Sequence, residues 1–252
     1  MLPLHIRGQV RGTRSLTYAI FITGTAGSGK SLLTSSLVHW YEEKGSHPIS
    51  ANLDPGARTL PYSPDVDIRD FIDLDAIMVH YQLGPNGALI FANDMIATRM
   101  QEVQDEIDSY NPDYVIIDTP GQMELFSYRS SGPFVVHNIV STGKAVVFLF
   151  DSTLVSTAVN FVSVALLAAS VQLRLGAAQV PILSKKDMVG EDWRRILNWS
   201  SNPLILEEAI SKEAKDIHYL LSRRILHGLI RSGFAYELIP LSSVTYEGFT
   251  EL

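Results

Sequence analysis

The sequence contains no cysteine. That excludes a disulfide framework, thiol catalysis and thiolate-ligated zinc, and allows a reducing compartment. Cations are in short supply: 20 Lys and Arg stand against 27 Asp and Glu, a formal charge of −7. This balance speaks against a broad surface that grips nucleic-acid phosphate. The histidines His5, His39, His47, His80, His137, His218 and His227 show no metal-ligand spacing. No uninterrupted apolar run near the start marks a secretory signal. Residues 1–17 instead carry Arg7, Arg11 and Arg14 and read as a loose leader. The expectation is a cytoplasmic protein. One charge-free stretch, between Asp151 and Arg174, is long enough to suggest a membrane span. Ser152, Thr153, Ser156, Thr157, Asn160, Ser163 and Ser170 interrupt it. A helix packed on a sheet, or at a subunit interface, is expected there and no membrane contact. No internal repeat or low-complexity segment is visible.

What is present is a globular balance, with 46% hydrophobic and 19% charged residues. The length of 252 residues suits one α/β domain with an insertion, or two small domains. Tyr18 to Thr23, His47 to Asn52, Tyr114 to Ile117, Ala145 to Phe150, Val180 to Leu183 and Tyr236 to Leu241 read as strands. Several lack polar alternation, which is the mark of strands covered on both faces. Leu33, Leu37 and Tyr41 repeat at helical spacing, with Gly45 as a stop. Ile96, Met100, Val103 and Ile107 mark a second helix, ending near Asn111-Pro112. Strands alternating with helices imply parallel pairing. From 191 to 232 the pattern is helical throughout, with Ile217, Leu221, Ile225 and Leu229 on one stripe. This reads as a helical insertion before the last strand, so that 18–252 forms one domain.

Gly24-Thr25-Ala26-Gly27-Ser28-Gly29-Lys30-Ser31 matches the phosphate-loop pattern G-x-x-x-x-G-K-[ST], directly after a strand and before a helix. Glycines let backbone N–H groups turn toward phosphate oxygens, and the helix N-terminus adds partial positive charge. Lys30 would bridge the β- and γ-phosphates and Ser31 would ligate Mg²⁺. Asp118-Thr-Pro-Gly121 follows a buried strand, where a second carboxylate supports the metal and Gly121 N–H can approach the γ-phosphate. The expected fold is therefore α/β: a three-layer P-loop NTPase fold, mostly parallel, with helices on both faces and a helical insertion. Lys185 and Asp187 fit the guanine-selecting pattern [NT]-K-x-D, in which the Asp accepts from guanine N1–H and N2. Ser184 departs from the usual Asn or Thr but keeps a hydroxyl. Ser242 and Ser243 follow the last strand, at the position of a base-contacting loop.

These residues, together with Gly84-Pro85-Asn86-Gly87, resemble the GPN-loop GTPases. Asn52-Leu-Asp54-Pro55-Gly56, Leu60-Pro61-Tyr62, Asp67-Ile-Arg69, Asp118-Thr-Pro-Gly-Gln122-Met-Glu124 and Lys185-Lys-Asp187 are similar to that family in its order. The resemblance runs from about Tyr18 onward and is of the archaeal type. On local pattern alone, Pro85 and Asn86 are what a type II turn favours. The resemblance implies instead a loop that reaches into a partner's nucleotide site, with Asn86 near the γ-phosphate of a homodimer. Thr25 stands where related ATPases carry a lysine for such a contact, so Asn86 would supply a neutral donor. The cofactors implied are GTP or GDP and Mg²⁺, with Asp54 as the switch carboxylate near the metal. Gln122 or Glu124 would orient the attacking water, and both readings stay open. Relatives imply a protein partner such as RNA polymerase.

Two other functions share part of this pattern. A P-loop ATPase or nucleotide kinase needs Lys30, Ser31 and Asp118 but not Lys185 and Asp187. Arg223 and Arg224 could then close over a phosphate acceptor, although a solvated helix face is the better reading of them. An assembly factor with negligible hydrolysis would use nucleotide only to hold its dimer.

Overall fold

The computed structural model describes residues 16–213, 215–233 and 237–252. Most of the basic leader, with Arg7, Arg11 and Arg14, lies outside them, as does Tyr236. The chain runs β1 (Tyr18–Gly24), α1 (Lys30–Glu43), β2 (Pro48–Asn52), β3 (Val66–Asp67), α2 (Leu74–Tyr81), α3 (Pro85–Met95), α4 (Met100–Tyr110), β4 (Tyr114–Asp118), α5 (Met123–Phe126) and α6 (Ser131–Asn138). It continues with β5 (Gly143–Asp151), α7 (Ala158–Leu175), β6 (Ala178–Ser184), α8 (Asp192–Ser201), α9 (Pro203–Glu213), α10 (Asp216–Arg231) and β7 (Ile239–Pro240).

The seven strands form one sheet in the order β3-β2-β4-β1-β5-β6-β7. Every pairing in it is parallel. Successive side chains leave a strand on opposite faces, and both faces here are apolar. Phe21, Val115, Ile117, Val146, Phe148 and Phe150 join the core cluster that contains Val103, Val135 and Phe161 of α4, α6 and α7. Ile22, Ile116, Val147, Leu149 and Ile182 point the other way, against Leu33 and Leu37 of α1 and against Leu241 and Phe249. The result is the expected three-layer α/β arrangement. The chain leaves β1 toward β2 and later passes to β5 on the other side. Clefts for ligands form where strand order reverses in this way, at the C-terminal strand ends.

Two local expectations need adjustment, and one short strand was not foreseen. Gly84 to Gly87 is not a turn: Gly84 is the N-cap of α3 and Pro85 its first residue. Proline fits that position because its φ is already helical and its missing N–H has no partner there. The helix around Ile96 to Ile107 is interrupted by a 3-10 turn over Ile96–Arg99, after which α4 stops at Asn111 with φ 49°. The two-residue β3 lacks enough length for any periodicity to announce it.

The charge-free stretch forms α7, capped by Thr157 and closed by Gly176 with φ 65°. By length and composition alone it could cross a membrane, and half of it is buried inside the fold. Phe161, Val162, Ala165, Ala168 and Ala169 face the core, whereas Leu166 and Leu173 are exposed. The α8–α10 insertion packs over its buried side. Trp199 meets Phe161 edge-on with ring centroids 6.2 Å apart, and Ile210, Leu226 and Leu229 join the same core cluster.

Candidate phosphate and base site

Strand β1 delivers the phosphate loop. Gly24, Gly27 and Gly29 take φ of 151°, 76° and 97°, a region that side chains resist. At Gly24 a Cβ would also come within 2.8 Å of Ser28 Oγ and 3.0 Å of Leu149 Cβ. Lys30 opens α1 and is only 6% exposed. Its ammonium donates to the carbonyls of Gly24 (3.1 Å), Thr25 (3.0 Å) and Gly121 (3.2 Å). Burial lowers its pKa, and the carboxylates of Asp118 and Asp54 act against that. One cleft is lined by Gly27, Gly29, Lys30, Ser31, Asp54, Asp118 and Gly121 together.

Asp118 ends β4 and is 2% exposed. Its Oδ2 accepts from the Tyr62 hydroxyl at 3.2 Å, and its Oδ1 is buried without a hydrogen-bond partner. Burial pushes this carboxyl up to about 6, with the Ser31 hydroxyl, the Lys30 ammonium and Tyr62 drawing it back. The Tyr62 hydroxyl is itself raised, by burial first and then by Asp118.

Asp54 follows β2 and is held by its neighbour. Asn52 Oδ1 accepts from Asp54 N–H (3.0 Å), and Asn52 Nδ2 donates to Asp67 Oδ1 (2.9 Å). The Asp54 carboxylate is fully engaged by backbone: Oδ1 accepts from Gly56 N–H and Oδ2 from Gly121 N–H, each at 2.9 Å. Gly121 is thus gripped through its N–H by Asp54 and through its carbonyl by Lys30. Asp67 and Arg69 form a two-pronged ion pair, and Arg69 Nη1 also donates to Ala57 O at 2.8 Å. Burial pushes the Asp67 carboxyl up, but hydrogen bonds from Arg69 and Asn52 outweigh it and leave the group below its ordinary value.

The base end lies beside the same loop. Ser184 Oγ donates to Ser28 O at 2.9 Å. Lys185, at φ 57°, donates to Gly27 O (2.5 Å) and pairs with Asp151 (2.7 Å). Asp187 is exposed in the following 3-10 turn. Lys186 N–H donates to Leu241 O at 3.2 Å, which ties the 241–247 loop to this end. Ser242 is fully buried, and its Oγ accepts from Val244 and Thr245 N–H, so its hydroxyl braces the loop and is not presented outward. Ser243 O accepts from Ser36 Oγ of α1 at 2.9 Å.

The fold brings together most of the residues singled out from the sequence, but not all of them. Gln122 and Glu124 are exposed at the start of α5 and do not line the cleft. Asn86 is likewise exposed, in the first turn of α3, and does not line the cleft of its own chain. Helix α3 still leans on the switch segment: a Cβ at Gly56 would come within 2.6 Å of Leu89. Thr25 borders a separate groove along α7, with Tyr128, Leu154 and Leu166. Sequence reasoning assigned no role to Tyr62, Asp67, Arg69 or Asp151, although the first three stand in quoted motifs. Tyr62 and Asp151 meet partners distant in sequence, and the Asp67–Arg69 pair, only two residues apart, is tied to the site through Asn52 of another strand.

Residues 22–252 match the sequence model of a family described as a conserved hypothetical ATP binding protein. The chain is 32% identical over 250 residues to a GPN-loop GTPase of Pyrococcus abyssi, covering 92% of this chain and 93% of that one. It is 29% identical over 231 residues to GPN-loop GTPase 3 of Saccharomyces cerevisiae, covering 89% and 85%. A crystal structure of a Pyrococcus abyssi GTPase in its apo form superposes with a TM-score of 0.81, at 30% identity and with 93% and 94% of the chains covered.

Proposed function

The chain belongs to the GPN-loop GTPase family and is a GTP-binding P-loop GTPase; from that premise we propose a Mg²⁺-dependent, dimeric switch in which Asn86 serves the partner's site. The observation that carries this reading is the cleft itself. It unites the Lys30 ammonium, the Ser31 hydroxyl, two carboxylates and Gly121 beside a glycine loop.

The donor set suits Mg²⁺. Ser31 and the unpartnered Asp118 Oδ1 are hard oxygen donors. Mg²⁺ takes few protein ligands and completes its shell with waters and phosphates. Among the described residues no group of three His, Asp or Glu could hold a metal by itself, which agrees with that division. When bound, Mg²⁺ supplies neutralising charge to the β- and γ-phosphate oxygens.

The chain's own groups do the rest. Backbone N–H groups of the phosphate loop and the Lys30 ammonium hold the phosphates. A γ-phosphate would compete with Asp54 for Gly121 N–H and with three carbonyls for Lys30. Nucleotide state is thereby linked to the switch segment that starts at Asp54. Lys185 and Asp187 recognise guanine, since adenine cannot offer the two donors that the Asp carboxylate accepts. The exposure of Asn86 outside its own cleft supports a role across a dimer. A carboxamide there adds a neutral donor where negative charge accumulates.

Phosphate release from GTP, with and without Mg²⁺, tests the activity. Equal release from ATP would remove the guanine reading. Light scattering with GDP and with a non-hydrolysable GTP analogue tests the dimer. Asn86→Ala should lower the turnover of the dimer by roughly 100-fold, within the range for loss of one preorganised donor, and leave GDP affinity unchanged. An unaltered rate would sink the trans role.

A further inference from the structure

The Leu60-Pro61-Tyr62 motif has no part in the chemistry above, yet its tyrosine touches the metal-facing carboxylate. Tyr62 belongs to the loop of residues 55–65, which joins Asp54 to β3. Its hydroxyl donates to Asp118 Oδ2 at 3.2 Å. The other oxygen of that carboxylate, Oδ1, is buried and has no hydrogen-bond partner. The Ser31 hydroxyl, itself a candidate metal donor, also draws on this carboxylate, and an oxygen without a partner on a 2%-exposed residue is costly unless something binds it.

We infer that Tyr62 is a positioning residue: it ties Asp118 Oδ2 so that Oδ1 is the oxygen presented to the cation. This rests on the Mg²⁺-dependent reading given above. Losing a group that orients a metal ligand from behind typically weakens metal binding by about 10- to 100-fold. The loop is built to deliver the hydroxyl. Arg69 Nη1 pins Ala57 O at 2.8 Å on one side. On the other, the Asp65 carboxylate accepts from Ser50 N–H and Oγ at 2.8 and 2.9 Å. Pro61 fixes φ immediately before Tyr62. These anchors do not involve the hydroxyl, so the loop keeps its course when the hydroxyl is removed. Ala57, Thr59 and Leu60 of this loop also line the cleft. The segment that forms one wall therefore also aims the carboxylate.

The test uses the full chain and fluorescent methylanthraniloyl-GDP, in EDTA and across a Mg²⁺ titration. Tyr62→Phe removes only the hydroxyl. Tyr62→Met removes it on a flexible apolar side chain and serves if the first variant folds poorly. In EDTA both variants should bind the nucleotide within about twofold of wild type. The Mg²⁺ concentration for half-maximal effect should rise by about tenfold, the low end for loss of an outer-shell partner. An unshifted Mg²⁺ titration in the variants, beside a responsive wild type, overturns the role of Tyr62 alone. An equal loss of affinity in EDTA and in Mg²⁺ does the same, because it marks a merely structural side chain. A wild-type protein indifferent to Mg²⁺ overturns the metal reading, and the Tyr62 role with it.

Discussion

Replacing Ser184 with alanine isolates the link between the base-contacting segment and the phosphate loop. The hydroxyl donates to Ser28 O at 2.9 Å, across 156 residues of sequence. Its alternative acceptor, Phe150 O, is at 3.4 Å, the outer limit of a hydrogen bond. Both serines are buried, at 4% and 0% exposure. Alanine would therefore leave a buried carbonyl without this donor, and water could not easily replace it. Loss of such a bond costs about 1–2 kcal/mol once the stranded group is included. For a chain of this length that lowers the melting midpoint by roughly 2–8 °C. Because the bond joins two loops around the ligand, part of the loss should appear in binding, as a GDP affinity weaker by up to about 5- to 30-fold if all of it falls there. Calorimetric titration and thermal melts, with and without GDP, measure both. Ser184→Thr keeps the hydroxyl and should stay close to wild type. An alanine variant with unchanged midpoint and unchanged GDP affinity would refute the bracing argument.

Gly24→Ala places a Cβ 2.8 Å from Ser28 Oγ at φ 151°. It should cost about 1–3 kcal/mol of stability and abolish nucleotide binding, read by a melt and a GDP titration on the same sample. Asp67→Asn tests the brace behind Asp54 through pH. The carboxyl is held below its ordinary value in the folded chain, so the unfolded chain takes up its proton first. The stability that Asp67 contributes is therefore full above the ordinary carboxylate range and is lost as pH falls below that range, through the lowered value of the folded chain. Urea melts should show the variant about 1.5–3 kcal/mol less stable near neutral pH, with the gap narrowing as pH falls below the ordinary carboxylate range. A gap independent of pH would assign the effect to packing.

Much of the site was legible because it is local. The phosphate loop, its lysine and the Asp118 to Gly121 turn each occupy one short stretch beside a strand of continuous apolar residues. The alternation of strands and helices likewise announced the parallel sheet. Harder cases fall into three physical groups. Some segments satisfy two local rules at once: Pro85-Asn86 fits a turn and a helix start, and in the fold it is the start of α3. Others depend on contacts that span the fold. Tyr62 meets Asp118 across 56 residues, and Lys185 meets Asp151 across 34. Ser242 belongs to a third kind. Its position was readable, but its buried hydroxyl serves Val244 and Thr245, and burial cannot be read from a dipeptide.

The register of the sheet has a consequence for how the molecule can be cut. Asn52 lies opposite Asp118 on β4, Asp118 opposite Ile22 on β1, and Asp151 opposite Ser184 on β6. Site residues from separate strands are therefore rungs of one ladder, and a one-residue slip would turn their side chains to the opposite face. The other end of the sheet, at Tyr18, Tyr114, Gly143 and Ala178, lies roughly 15–25 Å away at about 3.3 Å per residue. The molecule is polarised: one rim demands fixed lengths, while the opposite rim only joins elements. New chain ends opened in the turn after α6 or at Gly176 would fall on the opposite rim, away from the nucleotide. The same break between Gly121 and Met123 would sever the grip of Asp54 and Lys30 on Gly121 from the helix that follows.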